Sequence, residues 1–128
     1  MAADNRGSRV LIVEDEWAVA SMIESVVSQA GYGIAGPVGR LDEALELARS
    51  EPLSAALLDV DLGSGVDSFP LAAILRERGV PFAFVSGRSP EERDAAFATI
   101  PWVPKPFHPE ALKSALRKLV RAPMPDAD

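Results

Sequence analysis

Three acidic residues stand where apolar runs end, and their types suit metal-assisted phosphoryl chemistry. Glu14 and Asp15 follow the run Arg9–Val13. Asp59 follows the run Ala55–Leu58. Clustered carboxylates repel one another unless a cation lies among them, and an all-oxygen ligand set suits Mg²⁺ or Mn²⁺. A carboxylate beside such an ion can attack a phosphoryl group, so we predict that Asp59 is a phosphate acceptor beside a metal site.

Two further polar residues have the types that this chemistry needs. Ser86 follows the apolar run 81–85, and Lys105 lies between two prolines that restrict its direction. A lysine ammonium and a metal ion offset charge on the transferring oxygens, which is most of the catalytic work in phosphoryl transfer. A serine hydroxyl within reach can hydrogen-bond the transferred group. We expect both residues to lie near Asp59.

The apolar pattern predicts five strand–helix pairs that bring these residues together. The predicted strands are 9–13, 32–35, 55–58, 81–85 and 102–103, and the predicted helices are 17–30, 41–48, 68–78, 89–99 and one from 109. The fourth helix has the weakest apolar face. This alternation predicts an α/β, flavodoxin-like (βα)5 doubly wound parallel sheet with strand order 2-1-3-4-5. In that order the acids, the serine and the lysine share one edge of the sheet.

Length and composition limit the remaining classes of function. The 128 residues, 48% hydrophobic and 25% charged, predict one domain over 9–121, with disordered tails at 1–8 and 122–128. The chain has no cysteine and one histidine, which argues against thiolate and multi-histidine metal sites. A net charge of −6 argues against nucleic-acid binding, and we expect no DNA-binding domain. We find no membrane segment or secretory signal, and we expect a cytoplasmic protein.

Four motifs taken together resemble a known family. They are IVEDE, LLDVDLGSG, FVSGR and PKPF, in this order and at the ends of the predicted strands. The chain resembles a bacterial two-component response-regulator receiver domain (CheY-like), of the stand-alone type, over about residues 9–121. The resemblance implies that Asp59 accepts phosphate from a histidine kinase or histidine phosphotransferase. It implies that Glu14, Asp15, Asp59 and the backbone carbonyl of Asp61 hold Mg²⁺. A receiver catalyses its own phosphorylation and dephosphorylation, and is not a classical turnover enzyme.

The same resemblance assigns a switch. Ser86 matches the family's Ser/Thr switch residue, and Lys105 matches its lysine. Trp102 stands where a Tyr or Phe usually swings inward, and its bulk disfavours such a movement; plain packing is the alternative for this residue. The segment PFAFVSGR resembles a subgroup with the motif PFxFATGY, common in stand-alone regulators of bacterial stress pathways, although Arg88 replaces its Tyr. Asp61 and Arg88 match positions that tune phosphoryl lifetime in the family, and we predict that they form an exposed ion pair over the site.

Other functions remain open on the sequence alone. The sequence Asp59-Val60-Asp61 also resembles the nucleophile motif of haloacid-dehalogenase-like phosphatases, although that motif follows the first strand there. A flavodoxin-like flavin binder would need a hydroxyl-rich loop after the first strand. A degenerate receiver would lack the Asp59–Lys105 pair. We expect no output domain after the last predicted helix, and therefore output through a downstream protein partner or a role as a phosphate sink. The family resemblance implies that such a partner docks at a face formed by the fourth helix, fifth strand and fifth helix.

Overall fold

Five parallel strands form the central sheet of the protein. A computed structural model describes residues 9–92 and 95–121; the tails predicted at 1–8 and 122–128 lie outside this range. The elements in chain order are β1 (Arg9–Val13), α1 (Trp17–Gln29), β2 (Gly33–Val38), α2 (Leu41–Ser50), β3 (Ala55–Leu58), α3 (Phe69–Glu77), β4 (Phe82–Ser86), β5 (Trp102–Pro104) and α4 (Pro109–Arg121). The strand order is β2-β1-β3-β4-β5, and every pair is parallel. The predicted flavodoxin-like order is therefore confirmed.

Side chains that alternate along the strands divide the core into two layers. Leu11 and Leu58 belong to the layer covered by α2 and α3, whereas Ile12 and Leu57 belong to the layer covered by α1 and α4. This alternation follows from the two-residue period of a strand. All four residues of β3 are buried, as expected of a central strand with helices on both faces. The acceptor candidate therefore follows a strand whose residues are all buried.

The sequence of helix α1 explains both its buried face and the point at which it ends. Its buried residues recur at helical spacing and face the sheet: Ala20, Ile23, Val26 and Val27. The chain turns at Gly31, whose φ of 94° is in the left-handed region that favours glycine. The helix begins at Trp17, directly after Glu14-Asp15-Glu16. The acids consequently occupy the short connection between the end of β1 and the start of α1.

The predicted helix over residues 89–99 is wrong. In its place the structure has two short 3₁₀ turns, Pro90–Glu92 and Ala95–Phe97. The helix-capping pattern at Ser89 forms only its local contact: the Ser89 amide donates to the Glu92 carboxylate at 3.2 Å. Phe97 is the one buried residue of the two turns, so no apolar stripe holds a longer helix against the sheet. Local capping without a buried face does not extend a helix here.

Strand β2 is longer than predicted. The sequence suggested an end at Ala35 because Gly36-Pro37 follows, yet pairing with β1 continues to Val38 after a register irregularity. Because β2 is an edge strand, a proline without a backbone N–H is tolerated there. The extension has a direct use, since the Val38 carbonyl accepts the Glu14 amide at 2.9 Å.

No helix within 9–92 and 95–121 has both the length and the apolar character needed to cross a bilayer.

Candidate functional site

Backbone hydrogen bonds fix the residues that follow the strands at one edge of the sheet. The Asp59 amide donates to the Val13 carbonyl at 2.8 Å, which joins the ends of β3 and β1. The Lys105 amide donates to the Ser86 carbonyl at 2.9 Å, which joins the ends of β5 and β4. Together with the bond from the Glu14 amide to β2, these contacts place the acids, the serine and the lysine on a rigid frame.

Burial separates these side chains from ordinary surface residues. Within the part of the chain that the structure describes, the buried polar or charged residues are Glu14, Asp59, Ser68 and Ser86. Three of them lie at this edge, and charged groups are rarely buried without a partner. Asp15, in contrast, is exposed. The site therefore has a buried floor, and Asp15 faces solvent at its rim.

Lys105 lies between two of the acids. Its ammonium nitrogen is 2.7 Å from Glu14 Oε1 and 3.1 Å from Asp59 Oδ2. It is also 3.7 Å from Glu16 Oε1, at the exposed rim. The Lys105 side chain is only 14% exposed, so solvent screens these charges weakly. The lysine ammonium thus holds one oxygen of Asp59 at a fixed position.

The protonation of these groups follows from burial and from their neighbours. Burial raises the pKa of Glu14 to about 7, against the hydrogen bond from Lys105. Burial also raises the pKa of Asp59, although the charge of Lys105 opposes the shift. Burial would lower the pKa of Lys105, yet the hydrogen bond to Glu14 and the charge of Asp59 raise it overall. When both are ionised, Glu14 and Asp59 carry more negative charge than the single Lys105 ammonium can balance.

The geometry fits a hard divalent cation. Oxygen atoms of Glu14, Asp15 and Asp59 lie within 4.8 Å of one another. They adjoin an open cavity of about 320 Å³, lined by Asp15, Glu16, Asp59, Asp61, Gly63, Gly87, Arg88 and Lys105. Within the described ranges, no backbone hydrogen bond uses the Asp61 carbonyl, so it is available as a further oxygen ligand. Few protein oxygens beside open space for water suit Mg²⁺.

Asp61 and Arg88 form the ion pair that the sequence suggested. Arg88 Nε donates to Asp61 Oδ2 at 2.8 Å, and Nη2 donates to the other carboxylate oxygen. This two-point contact joins the loop after β3 to the loop after β4. Both residues line the cavity and remain partly exposed. The predicted pair is confirmed in its geometry; its effect on phosphoryl lifetime stays a prediction.

The Arg88 backbone connects Ser86 with Trp102. The Arg88 amide donates to Ser86 Oγ at 3.0 Å, and Trp102 Nε1 donates to the Arg88 carbonyl at 3.1 Å. Every residue named for the site from the sequence therefore lies at this edge or contacts a residue that does. The sequence did not indicate the central position of Arg88, nor that Glu16 would line the cavity; the only signal for Glu16 was its place beside the acidic pair.

We expect Gly63→Ala to weaken Mg²⁺ binding several-fold. A Cβ atom at position 63 would lie 3.3 Å from Asp15 Oδ2, so a methyl group would crowd the carboxylate that we expect to hold the metal. Gly65→Ala is the matched control, because Gly65 has a similar φ of 77° but a Cβ atom there would meet nothing within 4 Å. Both variants should lose about 1–2 kcal/mol of stability through left-handed backbone strain. Calorimetric Mg²⁺ titration separates them, and equal affinities would contradict the expectation.

Comparison with known proteins agrees with this geometry. The family model described as "Response regulator receiver domain" matches residues 10–117. The response regulator MprA of Mycolicibacterium vanbaalenii is 33% identical over 124 residues, which cover 92% of this chain and 52% of that protein. The transcriptional regulatory protein YvrH of Bacillus subtilis is 30% identical over 84% of this chain and 47% of its own length. The chain spans about half the length of these curated relatives.

Solved structures show the same similarity in three dimensions. The solution structure of SdrG from Sphingomonas melonis Fr1 has a TM-score of 0.80 and 33% identity, and covers 93% of this chain and 99% of that one. The response regulator PhyR from Brucella abortus has a TM-score of 0.77 and 28% identity, and covers 91% of this chain and 49% of its own. Since the family model matches most of the chain, this protein belongs to the response regulator receiver domain family.

Proposed function

We propose that this receiver domain accepts a phosphoryl group on Asp59 in the presence of Mg²⁺ and signals to a partner protein through a conformational switch. The observation that carries the proposal is the environment of the Asp59 carboxylate. Its Oδ2 is held by Lys105 at 3.1 Å, and its Oδ1 accepts the Asp61 amide at 3.3 Å. The carboxylate therefore has a fixed direction beside an open cavity, as a nucleophile in an in-line transfer requires.

The chemistry divides between this carboxylate and its neighbours. An Asp59 oxygen forms the new P–O bond while the donor's P–N or P–O bond breaks, and the leaving group takes the electron pair. Lys105 stabilises charge on the transferring oxygens, because its ammonium already lies against the attacking group. Bound Mg²⁺ would supply further positive charge there, with Glu14, Asp15, Asp59 and the Asp61 carbonyl as its protein ligands.

The proposed switch begins at Ser86. Its hydroxyl oxygen now accepts the Arg88 amide, and the same hydroxyl would donate its hydrogen to a phosphoryl oxygen on Asp59 once the side chain turned toward it. The phosphoryl group adds charge and acceptor oxygens at this point. Movement of Ser86 toward it breaks the contact with Arg88 and releases the loop after β4. A ligand shifts a two-state equilibrium through such differential contacts.

The partners that we propose are a phosphodonor protein and a downstream target. A histidine kinase or histidine phosphotransferase is the expected donor, because a phosphoimidazole transfers readily to a carboxylate. The target would contact the face formed by the 3₁₀ turns, β5 and α4. A groove of about 420 Å³ lies between the last two elements, from Pro101 to Lys118. The similarity to the BeF3-activated conformation of SdrG, at 35% identity, also supports a phosphorylation-dependent state.

Intact-protein mass spectrometry after incubation with acetyl phosphate and Mg²⁺ tests the proposal. We expect one phosphoryl mass increment in the wild type, none in Asp59→Ala, and little without Mg²⁺. Asp61→Ala is the control, because it keeps the backbone carbonyl and the Asp59 carboxylate, and it should still gain the increment. An equal increment in Asp59→Ala, or none in the wild type, would refute the proposed function.

A further inference from the structure

We propose that Trp102 is a positioning residue for the phosphoryl pocket. Its indole N–H holds the Arg88 backbone, and this contact keeps the Arg88 guanidinium over the cavity in its pair with Asp61. The consequence for phosphoryl lifetime rests on the proposed function, whereas the positioning itself does not. The inference assigns Trp102 a role that requires its hydrogen-bond donor, which differs from both inward swinging and plain packing.

Hydrogen bonds from two side chains fix the Arg88 backbone. Trp102 Nε1 donates to the Arg88 carbonyl at 3.1 Å, and Ser86 Oγ accepts the Arg88 amide at 3.0 Å. The preceding residue has open space beside it, since a Cβ atom at Gly87 would meet nothing within 4 Å. These two hydrogen bonds therefore hold the Arg88 backbone in position within the loop after β4.

Trp102 is itself well supported as an anchor. Its ring lies 5.5 Å from the Phe84 ring, centroid to centroid, with a 51° angle between the planes. Phe84 is fully buried and makes edge contacts with Phe69, Phe82 and Phe97. The tryptophan is only partly buried, and its indole N–H extends from this aromatic cluster to the loop. An aromatic cluster of this kind holds a ring in one orientation.

The position of Arg88 matters because of where its guanidinium lies. It pairs with Asp61 through two nitrogens, and both residues line the cavity beside Asp59. A planar guanidinium makes such a two-point contact in one geometry, so a shift of the Arg88 backbone would disturb it. Both residues therefore lie at the cavity through which water would reach a phosphoryl group on Asp59. Loss of the Trp102 contact should therefore loosen this ion pair.

The Arg88 Nε–H group reports the positioning directly in unphosphorylated protein. We expect its exchange with solvent, measured by ¹⁵N-edited NMR, to be about fivefold faster in Trp102→Phe, the factor that one ordinary hydrogen bond supports. Phenylalanine keeps an aromatic ring against Phe84 but lacks the donor. Trp17→Phe is the matched control, because Trp17 is 81% exposed on α1. Unchanged exchange in Trp102→Phe would overturn the inference.

A double-mutant cycle on phosphoryl half-life tests the consequence. We expect Trp102→Phe to shorten the half-life about threefold, Arg88→Ala to shorten it more, and the double variant to match Arg88→Ala. Equal threefold shortening in the Arg88→Ala background would show that Trp102 acts without Arg88, and would refute the inference. Absence of any phosphoryl increment in the wild type would instead refute the proposed function, and the exchange measurement would still decide the positioning.

Discussion

Lys105→Met should lower the rate of phosphorylation by acetyl phosphate at least about 100-fold while the fold is retained. Removal of one positioned donor from a transition state typically costs this much or more. Lys105 is the cation in direct contact with both Asp59 and Glu14. Methionine keeps most of the apolar stem, so the variant loses mainly charge and hydrogen bonds. The rate of appearance of the phosphoryl mass increment measures the effect.

A second lysine provides the control for this experiment. Lys113, on α4, pairs with the exposed Glu110 at 3.5 Å and does not line the cavity beside Asp59. Lys113→Met should therefore leave the rate unchanged. Because Lys105 lowers the pKa of both buried acids, its loss should also move the remaining activity to higher pH. A phosphorylation rate of Lys105→Met within about twofold of the wild type would show that Lys105 does not contribute to the transfer.

The stability of the metal-free protein should fall as pH rises from about 4.5 to about 7, and Glu14→Gln should remove most of this fall. Burial raises the Glu14 pKa from 4.5 to about 7 on folding. The native state therefore binds more protons than the unfolded state in this window, so the free energy of unfolding decreases with increasing pH. The effect is on the order of 3 kcal/mol. Asp59 contributes in the same direction, because its pKa is also raised.

Urea denaturation at several pH values measures this dependence. Glu110→Gln is the control, since Glu110 is an exposed carboxylate on α4, and its curve should parallel the wild type. Saturating Mg²⁺ should flatten the wild-type curve, because a cation stabilises the ionised acids and binds only the native site. Parallel curves for Glu14→Gln and the wild type would contradict the prediction.

The sequence predicted the strand order and the residues of the site for a clear physical reason. A buried central strand is a continuous apolar run, and β3 begins and ends at the predicted residues. Charged residues such as Asp59 cannot continue such a run, so they mark the edge where parallel strands end. The prediction placed Ser86 one residue outside its strand, a difference of the size expected at element ends.

Long-range contacts account for what the sequence did not predict. The turns between β4 and β5 are held by Phe97, whose ring stacks on Phe69 at 5.7 Å and lies under the Arg76 guanidinium. Arg76 Nη2 also donates to the Ala96 carbonyl at 2.7 Å. No local sequence pattern predicts these contacts of Phe97 and Arg76. The helix-start signal at Ser89 therefore led to the prediction of a helix that the structure does not have. The bond from Trp102 to Arg88 spans 14 positions and is likewise invisible in the sequence.

The short 3₁₀ turns have a consequence for how a target could recognise this protein. A regular helix is a cooperative unit, so moving one end of it strains every turn. Within the described turns Pro90–Glu92 and Ala95–Phe97, Phe97 is the one buried residue. We therefore expect this side of the domain to adjust its shape to a bound target at a lower cost in free energy than a helix packed along its length would.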